Sequence, residues 1–309
     1  MNKIILAEHA GFCFGVKRAV DAIEKALSQN NQIYTIGLPI HNPQEVNRLE
    51  KLGLHVASSE SEIPNGAKVL IRAHGEPLDV IEKLHSRKIE VIDMTCPFVK
   101  KAQEFAAKFS DLKYQIVLLG DKNHPEIKGI IGHTKNSSPE VIINESEADN
   151  IKYFPKIALI SQTTQREEKL SKVASILVNK CSELHVCNTI CKATSERQEA
   201  VKKLVSKNNN QKIDGVVLVG GRSSANTAKL RDIIQNENVD VLWIEEPSEL
   251  NNNYDWFKNK NMIGIAAGAS TPSWLIIDTE NRISQLKNTG LPVNNNNNQF
   301  AGIGTKGDL

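Results

Sequence analysis

Three times in this chain an apolar run gives way to a cysteine, and the cysteine opens a stretch with helical periodicity. The segments read Cys13-Phe14-Gly15-Val16-Lys17-Arg18-Ala19, Cys96-Pro97-Phe98-Val99-Lys100-Lys101-Ala102 and Cys191-Lys192-Ala193-Thr194-Ser195. The cysteines lie 83 and 95 residues apart, each interval about the size of one small α/β unit. This partial repeat restricts the fold more than any other feature. It predicts three similar units packed with pseudo-threefold symmetry, each turning a thiol at a helix start toward a shared centre.

The segments between the cysteines support that reading. Strands are expected at Lys3–Ala7, Lys68–Ala73, Glu90–Met94, Gln115–Leu119, Lys156–Ile160, Gly215–Val219, Val239–Ile244 and Met262–Ala266. Helical periodicity separates them, as where Val16, Ala19, Val20, Ile23, Ala26 and Leu27 share one face. Strands alternating with helices of this length indicate an α/β fold with mainly parallel sheets. The expected units are 1–96, 97–191 and 192–285. A tail from 286 to 309, with asparagine at 294–298 and no apolar periodicity, reads as disordered. Ser195 and Gln198 have the spacing of a capping box.

Composition narrows the function. The formal charge is +2, from 38 basic and 36 acidic side chains, which offers no support for nucleic-acid binding. No apolar run approaches eighteen residues, so no membrane span is expected, and the N-terminus reads as a strand, not a signal peptide. A cytoplasmic location follows, where thiols stay reduced. Five cysteines, an odd number, argue against a disulfide framework. A lone free cysteine is more often a small apolar core residue, and Cys181 and Cys187 are assigned to packing. Cys13, Cys96 and Cys191, in equivalent places at helix N-termini that favour thiolate, are assigned to a metal. Structural zinc usually gathers four ligands, often in close pairs, whereas an iron–sulfur cluster accepts widely separated ones. Three thiolates on four irons would leave one iron open, a Lewis-acid site as well as an electron source.

Other strand ends carry polar groups suited to an anionic substrate. His41 in His41-Asn42-Pro43, His74 in Ala73-His74-Gly75 and His124 in Asn123-His124-Pro125-Glu126 all sit where a strand yields to a turn. Ligands of parallel sheets bind there, and imidazoles can donate to phosphate oxygens. A histidine beside Gly or Pro can equally just close a turn. Glu126 can hold a proton if shielded from water, or can simply stabilise the first turn of a helix. Thr163, in Ser161-Gln162-Thr163-Thr164, could relay that proton, although strand-end hydroxyls are more often caps. The loops Gly220-Gly221-Arg222-Ser223-Ser224-Ala225-Asn226 and Ala267-Gly268-Ala269-Ser270 each lead from a strand into a helix, as anion cradles do. Neither matches a P-loop or a dinucleotide fingerprint.

These motifs, in this order, resemble the 4-hydroxy-3-methylbut-2-enyl diphosphate reductase family: Gly11-Phe12-Cys13-Phe14-Gly15-Val16, His41-Asn42-Pro43, Ala73-His74-Gly75, Thr95-Cys96-Pro97, Asn123-His124-Pro125-Glu126, Gln162-Thr163-Thr164, Asn188-Thr189-Ile190-Cys191 and Ala267-Gly268-Ala269-Ser270. The resemblance runs from residue 3 to about 285. It implies a trefoil of three α/β domains around a 4Fe–4S cluster, with Cys13, Cys96 and Cys191 as ligands. It further implies that Glu126 supplies a proton with Thr163 as relay. The diphosphate would be held by His41, His74, His124, Ser224, Ala225, Asn226 and Ser270. The substrate hydroxyl would meet the open iron and leave as water after a two-electron reduction, giving isopentenyl and dimethylallyl diphosphate in the last step of the non-mevalonate pathway. A ferredoxin or flavodoxin would supply the electrons. Family members often have serine where this chain has Ala225, so a contact there would have to come from the backbone N–H. Two other readings compete: an iron–sulfur electron carrier or sensor, and a zinc-dependent phosphohydrolase with His41, His74 and His124 as ligands.

Overall fold

Among the described residues every strand pairing is parallel. The computed structural model describes residues 3–29, 32–135, 138–206 and 212–289. The chain opens with β1 (Lys3–Leu6) and passes through Cys13 into α1 (Phe14–Ser28). The next sheet consists of β2 (Ile33–Ile36), β3 (Leu54–Ala57), β4 (Lys68–Ile71) and β5 (Glu90–Asp93), connected by α2 (Pro43–Lys51) and α3 (Leu78–Ser86). After Cys96, α4 (Pro97–Asp111) leads to β6 (Gln115–Leu119), α5 (Pro125–Ile131), β7 (Glu140–Ile142), α6 (Glu145–Asp149), β8 (Lys156–Ser161), α7 (Glu167–Leu177) and β9 (Glu183–Cys187). After Cys191 come α8 (Lys192–Val205), β10 (Gly215–Val219), α9 (Ala225–Asn236), β11 (Val241–Ile244), two short helices α10 (Glu249–Asn252) and α11 (Tyr254–Phe257), β12 (Met262–Ala267) and α12 (Ser273–Thr289).

The three sheets share one strand order. It is β3-β2-β4-β5 in the first, β7-β6-β8-β9 in the second and β11-β10-β12-β1 in the third. In the first two, the strand made first lies between the second and the third and the fourth closes an edge; in the third, β10, β11 and β12 take those first three places. The strand β1 serves as the fourth strand of the third sheet, pairing with β12 from Lys3↔Met262 to Leu6↔Ile265. The expected unit 1–96 is therefore not followed at its start: the segment before Cys13 belongs to the sheet built by the end of the chain. Its sequence carries no mark of that, because β1 and β12 meet only after the whole chain has folded back. At the other end α12 continues through Thr289, so 286–289 do not open a tail, and 290–309 lie outside the described residues.

In each unit the fourth strand ends at a cysteine, and the following helix packs on the next sheet. Ile23 and Ala26 of α1 pack with Ile33, Leu49, Leu54 and Leu70 of the first sheet's layer. Ala102, Ala106 and Phe109 of α4 pack with Ile116 and Leu118. Val201, Leu204 and Val205 of α8 pack with Val216 and Leu218. The central strands are covered on both faces, which suits their continuous runs of branched residues: all five of Gly215–Val219 are buried. The strands β2, β3, β7 and β9, absent from the sequence-based expectation, are short. The edge strand β9 carries the exposed Val186 and no buried run.

The three cysteines are the N-cap residues of α1, α4 and α8, with extended backbone and no side-chain capping bond. A serine or aspartate at each place would stabilise its helix by about 1 kcal/mol, so the thiols occupy positions that favour another residue type. Because α8 starts at Lys192, Ser195 falls inside its first turn and the expected capping box does not form. Cys187 packs in one core cluster of the second unit, and the partly buried Cys181 packs against the other while donating to the Leu177 carbonyl, 3.3 Å.

The helix α1 passes so close to the start of α4 that a Cβ on Gly15 would lie 2.7 Å from Cys96 Sγ and 3.1 Å from its Cβ. Gly15→Ala is therefore expected to lower stability by about 1–3 kcal/mol through overpacking, read as a lower urea midpoint with an unchanged m-value.

Candidate active site

The chain crossings bring one cavity to the junction of the three units. All twelve site residues expected from sequence line it: Cys13, Cys96, Cys191, His41, His74, His124, Glu126, Thr163, Ser224, Ala225, Asn226 and Ser270. Apolar side chains, among them Val16, Ile40 and Val99, complete the wall.

The thiols come one from each crossing and none forms a disulfide. Burial pushes the Cys96 and Cys191 thiols up, and the neighbouring cysteines push further, against backbone and hydroxyl hydrogen bonds. Thr194 Oγ1 lies 2.8 Å from Cys191 Sγ. Three thiolates in so enclosed a space require positive charge among them. Soft sulfur donors in this setting fit an iron–sulfur centre with one position unfilled by protein.

Opposite them, His41, His74 and His124 form a triangle with ring centroids 4.8–5.4 Å apart. Desolvation, helped by Arg72, lowers all three, and neighbouring imidazoles add to it at His74 and His124: His124 falls to about 4 and His74 well below its usual value. They are uncharged at neutral pH. His124 Nδ1 accepts the N–H of Glu126, 3.1 Å, as the cap of α5. A neutral imidazole that accepts at Nδ1 carries its proton on Nε2, so His124 presents a donor. His41 Nε2, His74 Nδ1 and both side-chain polar atoms of Asn226 are buried without partners. Unpaired polar atoms at this density point to a polar ligand in the cavity.

The third unit closes over this triangle. Ser224 caps α9 by accepting from Thr227 N, 3.3 Å, and leaves the first N–H groups of the helix, including that of Ala225, without helical partners. Ser270 Oγ donates to the His41 carbonyl, 3.1 Å. A Cβ on Gly221 would lie 2.3 Å from that same carbonyl oxygen, so only glycine lets the loop approach.

Glu126 is buried on α5, and Thr163 holds it twice: the Thr163 N–H donates to Oε1 at 2.6 Å, and Thr163 Oγ1 pairs with Oε2 at 2.8 Å. Desolvation raises its pKa to about 7 despite these bonds and despite Lys229. Burial thus lets this carboxyl keep a proton at pH values where an ordinary carboxyl has lost it.

Sequence reasoning passed over four residues here. Thr164, Thr194 and Arg197 line the cavity. Lys229, buried behind it with its pKa lowered to about 8 by desolvation, Lys169 and Arg166, donates to the Thr164 carbonyl, 2.5 Å. The helical period offered a signal: Thr194 and Arg197 follow Cys191 by three and six residues, and Lys229 follows Asn226 by three.

With this geometry in view, comparisons with known proteins are consistent along the whole described chain. A family profile described as LytB protein matches residues 4–284. The 4-hydroxy-3-methylbut-2-enyl diphosphate reductase of Campylobacter fetus is 42% identical over 285 residues, covering 92% of this chain and 98% of the relative. That of Aquifex aeolicus is 41% identical over 289 residues, covering 93% and 97%. A solved structure described as (E)-4-hydroxy-3-methyl-but-2-enyl diphosphate reductase, the terminal enzyme of the non-mevalonate pathway, aligns with a TM-score of 0.68 at 40% identity, covering 92% of this chain and 100% of the other. The Plasmodium falciparum E-1-hydroxy-2-methyl-but-2-enyl-4-diphosphate reductase structure aligns with a TM-score of 0.83 at 28% identity, covering 93% and 89%.

The raised pKa of Glu126 has a measurable consequence for stability. Relative to an uncharged residue, the native chain is at full strength below pH 4.5, the ordinary carboxyl value, and loses stability as pH rises through about 7. The loss is on the order of 3 kcal/mol once the buried charge has formed. Glu126→Gln can keep both contacts, its oxygen accepting from Thr163 N–H and its NH₂ donating to the hydroxyl. The melting temperature of Glu126→Gln should therefore exceed that of the native chain at pH 8 and converge with it near pH 4.5.

Proposed function

The chain belongs to the LytB protein family, and on that premise we propose that it reduces 4-hydroxy-3-methylbut-2-enyl diphosphate to isopentenyl and dimethylallyl diphosphate. The allylic C–O bond breaks and a C–H bond forms, two electrons and two protons are consumed, and the hydroxyl leaves as water. The observation that carries the reading is the meeting, in one cavity, of three helix-cap thiols with a proton-holding carboxyl and a set of unpartnered neutral donors.

Cys13, Cys96 and Cys191 would hold a 4Fe–4S cluster. Such a group supplies electrons and, at an iron without a protein ligand, a Lewis-acid site. Around it, His41, His74, His124, Ser224, Asn226, Ser270 and the backbone N–H of Ala225 would bind the diphosphate. Uncharged imidazoles can pick up protons as the anion arrives, so its charge is met without a fixed lysine clamp. Glu126 would deliver a proton to the departing hydroxyl. When Glu126 is protonated, its Oε2–H donates to Thr163 Oγ1, and the Thr163 hydroxyl proton is free to point at the substrate. Proton delivery by this route weakens as pH rises through about 7, where Glu126 ionises. Electrons would come from a ferredoxin or flavodoxin. No helix among the described residues is long and apolar enough to cross a membrane, and we place the reaction in the cytoplasm.

The histidine triangle favours a second reading, a zinc phosphohydrolase, because its ring nitrogens lie within 4.8 Å of one another. Against it, His124 presents a proton at Nε2 where a metal needs a lone pair, and the three thiols would have no task. A carrier or sensor would need neither the diphosphate donors nor Glu126.

Anaerobic reconstitution with iron and sulfide, followed by substrate and a chemical reductant, tests the proposal. A brown protein that yields both isoprenyl diphosphates is expected, with Glu126→Gln lowering kcat by about 10²–10⁴ as loss of a general acid does. A brown protein that ignores the substrate would favour a carrier, and a colourless one that hydrolyses it with zinc would favour the phosphohydrolase. Ala225→Ser adds a hydroxyl to the cavity wall and should strengthen binding of inorganic diphosphate to the cluster-free protein by about 1 kcal/mol, roughly fivefold in Kd by calorimetry.

A further inference from the structure

Arginine stays protonated in any protein interior, so a buried guanidinium needs a counter-charge. Arg48 is paired with Glu45 and Glu24, and Arg72 with Glu76. Arg197 is only 5% exposed, and among the described residues no carboxylate pairs with it. Its hydrogen bonds go to neutral carbonyls: Nη2 donates to Gly11 O at 2.7 Å and Nη1 to Ala193 O at 2.9 Å, while Nε has no partner. Gly11 lies two residues before Cys13, and Ala193 lies two residues after Cys191. The guanidinium also lines the cavity that those cysteines line. Burial presses its pKa down, and Cys13 and Cys191 are the first groups that press it back up. Neutral thiols cannot balance a cation; thiolates bound to a cluster can.

We propose that Arg197 is the built-in counter-charge of the thiolate-held centre, a positioning residue that ties the Cys13 loop to α8 and raises the reduction potential of the cluster. This rests on the cluster reading above. Positive charge and hydrogen bonding close to the sulfurs stabilise the added electron, and net charge around a cluster is one of the protein's means of setting its potential. The arrangement also accounts for a cation kept in a place that is unfavourable while the cavity is empty.

The test compares the native chain with Arg197→Gln and Arg197→Lys after anaerobic reconstitution, with no substrate present. Iron content, the rate of iron loss to a chelator and the midpoint potential from an EPR-monitored redox titration are measured. Arg197→Gln should shift the midpoint to more negative potential and lose iron faster, whereas Arg197→Lys, which keeps the charge, should stay nearer the native values. Cluster-free Arg197→Gln should melt at or above the native temperature, because it removes an unpaired buried charge. A folded Arg197→Gln that takes up no iron, beside an Arg197→Lys that does, would support the assignment by charge alone. An unchanged midpoint in Arg197→Gln would overturn it, as would Arg197→Lys displaced as far as Arg197→Gln, both variants folded but free of iron, or a cluster-free Arg197→Gln that melts well below the native chain. A native chain that takes up no iron would instead sink the cluster reading itself.

Discussion

Three thiols at one junction, each at an uncapped helix start, set the terms for the rest of the molecule. Each stands where the fourth strand of one sheet hands the chain to the first helix of the next unit. The crossing and the thiol position are the same few residues, so the order of the units and the shape of the cavity cannot vary independently. Helix capping is forgone at Cys13, Cys96 and Cys191, and Gly15 is stripped of a side chain to let two of these helix starts approach. Among the described residues that line the cavity, Arg197 is the one with a permanent positive charge.

The opposite wall follows a different electrostatic rule. Its imidazoles are biased toward the uncharged form by desolvation and by Arg72, and the same desolvation raises the pKa of its carboxyl. Neutral groups cost little to bury when the cavity is empty, yet each can change its charge when an anion enters. A permanent lysine cluster would attract phosphate in general. A wall that charges on demand is more selective for a ligand that fills it.

Much of this was legible in the sequence because the relevant signals are local. A strand end, a cysteine and a helix start are adjacent residues, so the threefold pattern and its ligands can be read directly, and the motifs around His41, His74, His124 and Glu126 lie at strand ends for the same reason. The placement of β1 was not legible, since nothing in Lys3–Leu6 distinguishes a strand that pairs with its neighbours from one that pairs with Met262–Ala267. Short edge strands such as β7 and β9 were missed because they bury too little to show a pattern. Arg197 and Lys229 were missed because a cation on a helix is ordinarily a solvated one. Only the packing of one unit on another shows that these two are enclosed.

The position of β1 also bears on the order in which the molecule can be made. Among the described strands β1 precedes all the others along the chain, and its partner β12 follows them all. The first and second sheets draw all of their strands from contiguous stretches and can form as they emerge, but the third cannot take up its β1 edge until β12 has been made. Cys13 opens α1, which packs on the first sheet, so only the loop between β1 and Cys13 waits for β12. The third unit contributes Ser224, Asn226 and Ser270 to the cavity wall, so the pocket around the thiols is complete only once β1 and β12 have met.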